Sequence, residues 1–477
     1  MVQEDARAES PDVDYMSTLS EIFEGMAYVK FIPLDPNEWI EQSESLLSEP
    51  ECAQTLFLFD QDMSKRGGRT NAGSAIVGSV MTREAEACPL CAILTHTADP
   101  ENQDARWKEL AADSGIDRDR FLVIPKRFLT ADLNEFTRQM KAAVLAPSFL
   151  KLKELSSTIL SSSLDKARQE LDKLTVLDFD HMVMRVAHGE GVWEGQLLFR
   201  LHGLFHRMEA EQQARRNTGL SDLISKIRKV SHIPEMGTSH ASEVVRSIRH
   251  AELYEEGVSI NSAHLDISTG DVFEITSPKG GTMRRIMVVT QACDLAIRPD
   301  GKRKVQHTLL LGVVPVSNNE VKLDHYMELP YFHKADRSGK MAVDFLSTSV
   351  APCWALDTCV LNDEGKCGLR LDAEPPQGLL PGWGGRFEEV RTEAQRLHDQ
   401  CDVSCLVEEG NRKSILERLA PLITSCGAVR VLIEDNEVKV PLQRVMRLRI
   451  EMAMEVVRQY AAYISRTPHE VDLARKA

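Results

Sequence analysis

The sequence predicts a protein of several domains, in which a doubly wound α/β domain precedes a helical middle and a small, barrel-like β domain. Three observations predict this class. Short apolar runs alternate with helical segments up to about residue 130, long helical segments follow, and β-rich runs with Gly, Asp and Pro turns begin near residue 256. A chain of 477 residues is also too long for one hydrophobic core. We therefore divide the chain into residues 1–130, 131–255 and 256–477.

Helices and strands alternate in the first of these parts. Apolar positions at helical spacing predict a helix over residues 15–30, and Asp35-Pro36 opens another over 36–49, with proline in its first turn. Helices are also predicted over residues 72–85 and 107–115. The predicted strands are 30–35 (KFIPLD), 55–60 (TLFLFD), 91–97 (CAILTHT) and 121–126 (FLVIPK). Apolar strands that alternate with helices are typical of a parallel sheet covered on both faces.

The two remaining parts of the chain differ in the secondary structure that their sequence patterns predict. Long helical patterns with almost no strand signal predict a helical linker or dimerisation domain at residues 131–255, with residues 190–215 as the dimer contact. Five runs with strand composition then predict a barrel or sandwich with helical insertions, at 264–276, 283–295, 305–316, 340–350 and 427–442. A last helix is predicted over residues 443–464.

Charge and composition restrict the class of partner. The net charge is −15, and residues 1–50 hold twelve acidic residues against two basic ones, which disfavours broad binding of nucleic acid. We find no secretory signal and no apolar run long enough to cross a membrane. Ten cysteines are scattered along the chain without the framework of a small disulfide-rich domain. These features predict a cytoplasmic protein with reduced thiols and no membrane contact.

Three of the predicted strands end abruptly at a polar residue. Asp60 ends LFLFD, Thr95 ends CAILT, and Lys126 follows FLVIP. Because ligands of a parallel α/β sheet lie beyond the carboxyl ends of its strands, we expect these side chains to converge on one crevice. A carboxylate can accept a phosphoryl group, a hydroxyl can bond its oxygens, and an ammonium can offset its charge. The trio therefore indicates phosphoryl chemistry.

These three strand ends, LFLFD60, ILT95 and FLVIPK126, resemble the receiver domains of two-component response regulators, which have the flavodoxin-like fold. The resemblance implies that Asp60 is the phospho-acceptor, that Thr95 is the switch residue, and that a sensor histidine kinase is the partner. It also implies Mg²⁺, held by Asp60, by the backbone carbonyl of Asp62 and by an acidic pair after the first strand. We assign that pair to Asp12 and Asp14.

The chain departs from the receiver pattern in three respects. Residues 1–14 contain no apolar run that could form the strand carrying the acidic pair. The separation of Asp60 and Lys126 by 66 positions is long for the family. Pro125 precedes the lysine, whereas the family's order is lysine and then proline.

A second resemblance covers the C-terminal part. The pattern Gly270-Asp271, Gln291-Ala-Cys293-Asp294-Leu295 and Asp300-Gly-Lys302-Arg303 is similar to receiver proteins of bacterial anti-phage two-component systems. In such systems a receiver can act as a sink for phosphate. The resemblance implies a role in anti-phage defence.

Other candidate residues have structural interpretations that compete with functional ones. Thr97 competes with Thr95 as the switch residue. Buried or incidental cysteines are the alternative to a metal or redox role for Cys88 and Cys91, and for Cys401 and Cys405 with Cys353, Cys359 and Cys367. His202 and His206 share a helix face, so they could hold a metal, carry a phosphoryl group or pack at a helix interface. Cys293 with Asp294 could supply a nucleophile or simply cap a turn.

The leading hypothesis is a phospho-acceptor in a two-component phosphorelay, a regulator rather than a turnover enzyme. One alternative is a pseudo-receiver whose C-terminal domain binds a partner. Another is a nuclease-type effector, because GDVFEI and the paired Arg284 and Arg285 resemble toxin-type endoribonuclease barrels. A basic cleft beside Cys293, Asp294, Arg298 and Lys302 would favour that alternative.

Overall fold

The computed structural model describes most of the chain between residues 30 and 465. The described residues are 19–20, 23, 30–49, 55–63, 72–82, 90–99, 102–115, 121–190, 192–231, 243–275, 284–333, 339–380, 382–405, 422–424, 427–429, 432–434 and 436–465. The chain divides into two compact units, unit 1 with Met1–Leu171 and Gly203–His240, and unit 2 with Asp172–His202 and Ala241–Ala477. The division at residues 130 and 255 stays a prediction.

Unit 1 contains the predicted parallel sheet. Its strands are β1 (Leu56–Asp60), β2 (Leu90–Thr95) and β3 (Phe121–Pro125), hydrogen-bonded in the order β1-β2-β3. Every residue of β2 and β3 is buried, as the unbroken apolar runs predict for strands covered on both faces. Two core clusters, one around Phe57 and Val77 and the other around Ile124 and Phe136, contain residues of this sheet.

One helix precedes β1, and further helices follow each strand of this sheet, as the alternation predicts. They are α1 (Pro36–Ser48), α2 (Ala72–Met81), α3 (Gln103–Ser114), α4 (Phe128–Ala131) and the long α5 (Leu133–Leu171). The predicted start of α1 and the predicted end of α3 at Gly115 are confirmed by their caps, whereas α3 begins at Gln103, four residues before the predicted start. Asp35 accepts N–H groups of Asn37 and Glu38 at the start of α1, and Gly115 ends α3 with a φ of 68°.

The strand predicted at residues 30–35 is wrong, because these residues form neither strand nor helix. Pro33 lacks the N–H that a strand ladder needs, and Asp35 is committed to capping α1. The helix predicted over residues 15–30 lies almost wholly outside the described residues, and only Leu19, Ser20 and Phe23 are described as helical.

The described part of residues 131–255 is almost wholly helical, as predicted, except that the strand Tyr254–Glu256 begins at its end. After α5 the chain forms α6 (Val176–Phe179), a π-helical turn (Asp180–Met184), α7 (Arg185–Glu190), α8 (Glu194–Arg216), α9 (Thr218–Ser231) and α10 (Glu243–Leu253). Described residues of these segments belong to both units. Among the described helices, none combines the length and the apolar composition needed to cross a membrane.

Unit 2 is built around an antiparallel sheet that curls like half of a barrel. Its strands are β4 (Tyr254–Glu256), β5 (Asp271–Ile275), β6 (Arg284–Val288), β7 (His307–Val316), β8 (Tyr326–Leu329), β9 (Lys340–Pro352), β10 (Lys366–Arg370), β11 (Leu422–Thr424), β12 (Gly427–Val429), β13 (Leu432–Glu434) and β14 (Glu437–Leu448). They are hydrogen-bonded in the order β10-β14-β5-β6-β7-β9-β11-β12, with β4 and β13 also paired to β14 and β8 paired to β9.

Hydrophobic clusters cover both faces of this sheet. Phe273 and Ile286 belong to one cluster together with Trp383, whereas their neighbours Val272 and Met287 belong to the other. This alternation follows from the period of two in a strand. The helices of unit 2 that follow α10 are α11 (Gly257–Ser262), α12 (Ala292–Leu295), α13 (Cys353–Asp357), α14 (Trp383–Cys405) and α15 (Ile450–Ser465), with short 3₁₀ turns at Glu320–Lys322 and Thr358–Leu361.

The start of the predicted last helix is wrong by seven residues. Residues 443–448 belong to β14, and the helix begins only at Ile450. In the structure, Arg444 and Arg447 of this stretch pair with Asp271 of the neighbouring strand, so their charge is compatible with a strand.

Candidate functional site

The three predicted side chains lie at one edge of the parallel sheet. Asp60 is opposite Leu94 in the register of β1 and β2, and Thr95 is opposite Pro125 in that of β2 and β3. Two further backbone bonds, from Gln61 N–H to Leu94 O and from Lys126 N–H to Thr95 O, are each 2.8 Å long. The ladder therefore extends just beyond Asp60 and Thr95 and holds the three strand ends side by side.

Asp60 and Lys126 form a close ion pair. The Lys126 Nζ donates to Asp60 Oδ2 at 2.5 Å, with 6% of the lysine side chain and 40% of the aspartate side chain exposed. The ammonium is thus held inside the protein while its carboxylate partner reaches solvent. A reagent can approach the carboxylate, and the positive charge is already in place beside it.

The second carboxylate oxygen of Asp60 is also hydrogen-bonded. Asp60 Oδ1 accepts the N–H of Asp62 at 3.1 Å, which makes a tight turn directly after β1. Gln61 between them is buried, and its side chain accepts the Ser74 N–H at 3.0 Å and donates to Ser74 Oγ at 3.2 Å. These bonds tie the end of β1 to the first turn of α2.

Gly73 allows α2 to approach this turn closely. A Cβ at position 73 would lie 2.6 Å from the carbonyl oxygen of Asp60 and 2.9 Å from Cα of Gln61. Both are backbone atoms that cannot move aside as a side chain could. Glycine is therefore required for this approach, and through it α2 fixes the position of Asp60.

Thr95 and Thr97 are neighbours in one hydrogen-bonded group, so they do not form two separate candidate sites. Thr95 is 2% exposed, and its Oγ1 lies 2.9 Å from Thr97 Oγ1 and 3.1 Å from the Thr97 N–H that it accepts. Thr97 Oγ1 in turn accepts the Arg106 Nε–H at 3.0 Å. Arg106, on α3, was missed by the sequence analysis, because nothing in the local pattern of that helix distinguishes it.

Two of the four residues predicted to hold Mg²⁺ are among the described residues. Asp60 and Asp62 lie together, but Asp12 and Asp14 are outside the described residues. Within the described ranges there is no group of three or more His, Cys, Asp or Glu side chains arranged to hold a metal. Mg²⁺ retains several waters and needs only one or two carboxylates, so the oxygen donors of Asp60 and Asp62 suit it chemically.

The histidine and cysteine candidates have ordinary structural surroundings. His206 Nε2 lies 3.2 Å from the carbonyl oxygen of Leu160 on α5, a helix-interface contact. Cys91 is buried in β2, and Cys88 lies outside the described residues. Cys353, Cys359 and Cys367 are buried free thiols, while the side chains of Cys401 and Cys405 lie outside the described residues. Burial, and then Asp357, raises the pKa of Cys353 to about 11, so this thiol is poorly reactive at neutral pH.

The C-terminal pattern forms ion pairs and turns inside unit 2. Asp271 is fully buried and accepts Arg447 Nε–H at 2.6 Å, with Arg444 Nη1 3.5 Å away. Arg303 and Arg386 both contact the buried carboxylate of Asp357. Two of the pattern's charged residues, Asp271 and Arg303, are thus part of the interior of the fold.

The surface beside Cys293 carries charges of both signs. Lys304 Nζ lies 3.3 Å from Asp294 Oδ1, and Arg298 Nη1 lies 3.9 Å from Glu190 Oε2. Cys293 is exposed, and its carbonyl oxygen accepts Arg298 Nη2–H at 3.2 Å. Each of these two basic groups has an acidic neighbour, so they do not supply the unpaired positive charge that a nucleic-acid cleft needs.

Comparison of this chain with protein-family models, with curated proteins and with solved structures finds no match. The site is therefore interpreted from its own geometry.

Proposed function

We propose that this protein accepts a phosphoryl group on Asp60 from a phosphohistidine of a sensor kinase, as a regulator in a two-component phosphorelay. The observation that carries the proposal is the ion pair of a half-exposed Asp60 with a buried Lys126 at the carboxyl edge of a parallel sheet. A structural ion pair would not need an accessible carboxylate held between a lysine and a backbone N–H. A phospho-acceptor needs all three features.

The chemistry follows from the groups at the edge. An oxygen of Asp60 attacks phosphorus, the P–N bond of the phosphohistidine breaks, and the departing imidazole nitrogen takes its electron pair and later a proton from water. Lys126 offsets the negative charge that the phosphoryl group brings, and Thr95 bonds one of its oxygens. Mg²⁺, held by Asp60 and Asp62 and by Asp12 and Asp14, would supply further charge neutralisation when bound.

Phosphorylation of Asp60 either changes the conformation of a surface that a partner binds or simply removes phosphate from the kinase. A new dianion beside Thr95 and Lys126 biases the loops that follow β2 and β3. The similarity of the C-terminal pattern to receiver proteins of anti-phage systems supports a place in such a system, and a homodimer through the helical region is part of the same proposal.

Intact mass spectrometry after incubation with acetyl phosphate and MgCl₂ tests the proposal. We expect a gain of one phosphoryl group in the wild type and none in Asp60→Asn. The matched control is Asp99→Asn, which changes an exposed aspartate after β2 that lies 3.6 Å from Arg127. A folded wild type that gains no phosphoryl group, or an Asp60→Asn variant that gains it equally, would overturn the proposal.

A further inference from the structure

A chain of hydrogen bonds leads from α3 to the hydroxyl of Thr95. Arg106 Nε–H donates to Thr97 Oγ1 at 3.0 Å, and Thr97 Oγ1 lies 2.9 Å from Thr95 Oγ1. Thr95 Oγ1 also accepts the Thr97 N–H at 3.1 Å. Thr97 therefore contacts the Thr95 hydroxyl through two of its own polar groups.

The numbers of protons and lone pairs determine what this chain can do. A hydroxyl has one proton and two lone pairs. If the Thr97 O–H donates to Thr95, both lone pairs of Thr95 Oγ1 are occupied, one by the Thr97 N–H and one by the Thr97 O–H. The remaining polar group of the Thr95 hydroxyl is then its own proton, so this hydroxyl can act toward a further partner only as a donor.

Arg106 favours this direction over the reverse. Its guanidinium has no lone pair to offer, so Thr97 Oγ1 can only accept from it. A charged donor on Thr97 Oγ1 polarises the Thr97 O–H and makes it a stronger donor to Thr95.

Arg106 is held in place by its own helix and by the sheet. Its Nη1 donates to Glu109 Oε2 at 2.5 Å, and 27% of its side chain is exposed. The first turn of α3 is anchored by Gln103, whose Nε2 donates to Val123 O at 2.7 Å and to Gln139 Oε1 at 2.9 Å. The donor to Thr97 is thus fixed relative to the strand that carries Thr95.

We propose that Thr97 and Arg106 are positioning residues that direct the hydroxyl proton of Thr95 toward an anionic oxygen bound at Asp60 and Lys126. This inference rests on the proposed function, because the anionic oxygen is that of a phosphoryl group. It assigns a role to two residues that do not touch the acceptor, and it makes α3 part of the site.

Isothermal titration calorimetry with beryllium fluoride and MgCl₂ tests the relay, since fluoroberyllate is a stable analogue of a phosphoryl group. We expect Thr95→Val to weaken binding about tenfold and Thr97→Val about fivefold, the size of one lost hydrogen bond. Thr97→Ser should restore the wild-type affinity, because it returns the hydroxyl without the methyl group. The double variant should bind no more weakly than Thr95→Val alone.

Arg106 is tested separately, because it lies at the surface and its variants leave the core intact. Arg106→Met should weaken binding about threefold, and Arg106→Lys should recover part of the loss. Lys108→Met is the matched control, since Lys108 is an exposed cation on the same helix that pairs with Asp104 at 2.8 Å, and it should leave binding within twofold.

The outcomes separate the two proposals. A wild type that binds fluoroberyllate, with Thr97→Val and Arg106→Met unchanged in affinity, would overturn the relay and leave the phospho-acceptor assignment standing. The same would follow if the effects of Thr95→Val and Thr97→Val simply added. A wild type that neither binds fluoroberyllate nor gains a phosphoryl group would overturn both.

Discussion

At the scale of single residues, the two charged side chains of the site differ in their exposure to solvent. Lys126 is buried and Asp60 is half-exposed, although the two are in direct contact. A buried ammonium depends on its carboxylate partner more than an exposed carboxylate depends on its ammonium. This asymmetry has a measurable consequence for the free energy of unfolding.

We expect Asp60→Ala to lower the free energy of unfolding by about 1–3 kcal/mol, because the buried ammonium loses its carboxylate. Lys126→Met should change it by less than about 1 kcal/mol, since methionine fills the same apolar space and Asp60 stays hydrated. Urea unfolding of both variants measures the difference. Equal effects, or a larger effect of Lys126→Met, would contradict the assignment of burial.

A second prediction at this scale concerns Asp266 in unit 2. Its carboxyl accepts the indole N–H of Trp383 and the Ile297 N–H at 3.3 Å. Burial raises the pKa of this carboxyl, although Arg303 and the two N–H donors act in the opposite direction. A carboxyl whose pKa is higher in the folded chain stabilises the fold at low pH, and that contribution is lost as pH rises through the folded-state value.

We therefore expect the wild type to lose stability relative to Asp266→Asn as pH rises above about 4, which is the usual pKa of an aspartate in an unfolded chain. Urea unfolding at a series of pH values gives this difference. Asp300→Asn, at an exposed turn, should show no such trend. A difference that grows in favour of the wild type with rising pH would mean that Asp266 is stabilised in its charged form.

At the scale of elements, the position of Asp60 is decided by the contact between α2 and the end of β1. The local sequence determines that an aspartate stands at the end of the apolar run that forms β1. The distance to α2 depends on Gly73, whose missing side chain lets two backbones meet. The sequence of the helix does not show why glycine is required at this position, because the atoms that a side chain would meet belong to another element.

Gly73→Ala should lower the free energy of unfolding by about 1–3 kcal/mol and reduce phosphoryl uptake by Asp60, because a Cβ there overlaps the backbone of β1. Gly203→Ala is the matched control. Position 203 lies inside α8 with no neighbouring atom within 4 Å of a Cβ, so the same substitution should stabilise the protein by about 0.5–1 kcal/mol. Urea unfolding and the acetyl phosphate assay report the two effects. A Gly73→Ala variant that is as stable as the wild type, or is stabilised like Gly203→Ala, would contradict the need for the close approach.

At the scale of the whole molecule, each unit has its own hydrophobic clusters, and unit 2 also contains buried ion pairs between distant parts of the chain. Asp271 on β5 and Arg447 on β14 are 176 positions apart and lie opposite each other in adjacent strands. Arg444 and Asp271 have fully buried side chains. Such pairs add little stability relative to apolar residues in the same positions. The loss of one partner is strongly destabilising, because it leaves a buried charge unpaired.

Asp271→Asn should lower the free energy of unfolding of unit 2 by about 3–5 kcal/mol, because two arginines lose their carboxylate. Glu274→Gln on the same strand is the control, since its pair with Arg285 is partly exposed and should be worth about 1 kcal/mol. Hydrogen exchange of the backbone amides of β5 and β14, measured by mass spectrometry at a series of urea concentrations, follows this unit. Similar losses in both variants would show that burial does not govern the strength of these pairs.

The sequence by itself determined the features that depend on residues within a few positions of each other. The parallel strands, their polar ends at Asp60, Thr95 and Lys126, and the caps of α1 and α3 all belong to this group. The alternation of apolar runs and helices placed the three side chains at one sheet edge, since parallel strands share the direction of their carboxyl ends.

Only the tertiary structure decided the features whose partners are far away in the chain. The bond from Arg106 to Thr97, the approach of Gly73 to β1 and the pairing of Arg444 and Arg447 with Asp271 are of this kind. Residues 443–448 form a strand where the local pattern predicts a helix, and a buried carboxylate 173–176 positions away makes their arginines compatible with an inner strand. Local patterns record which residues follow one another, whereas the energy of a charge depends on what surrounds it after folding.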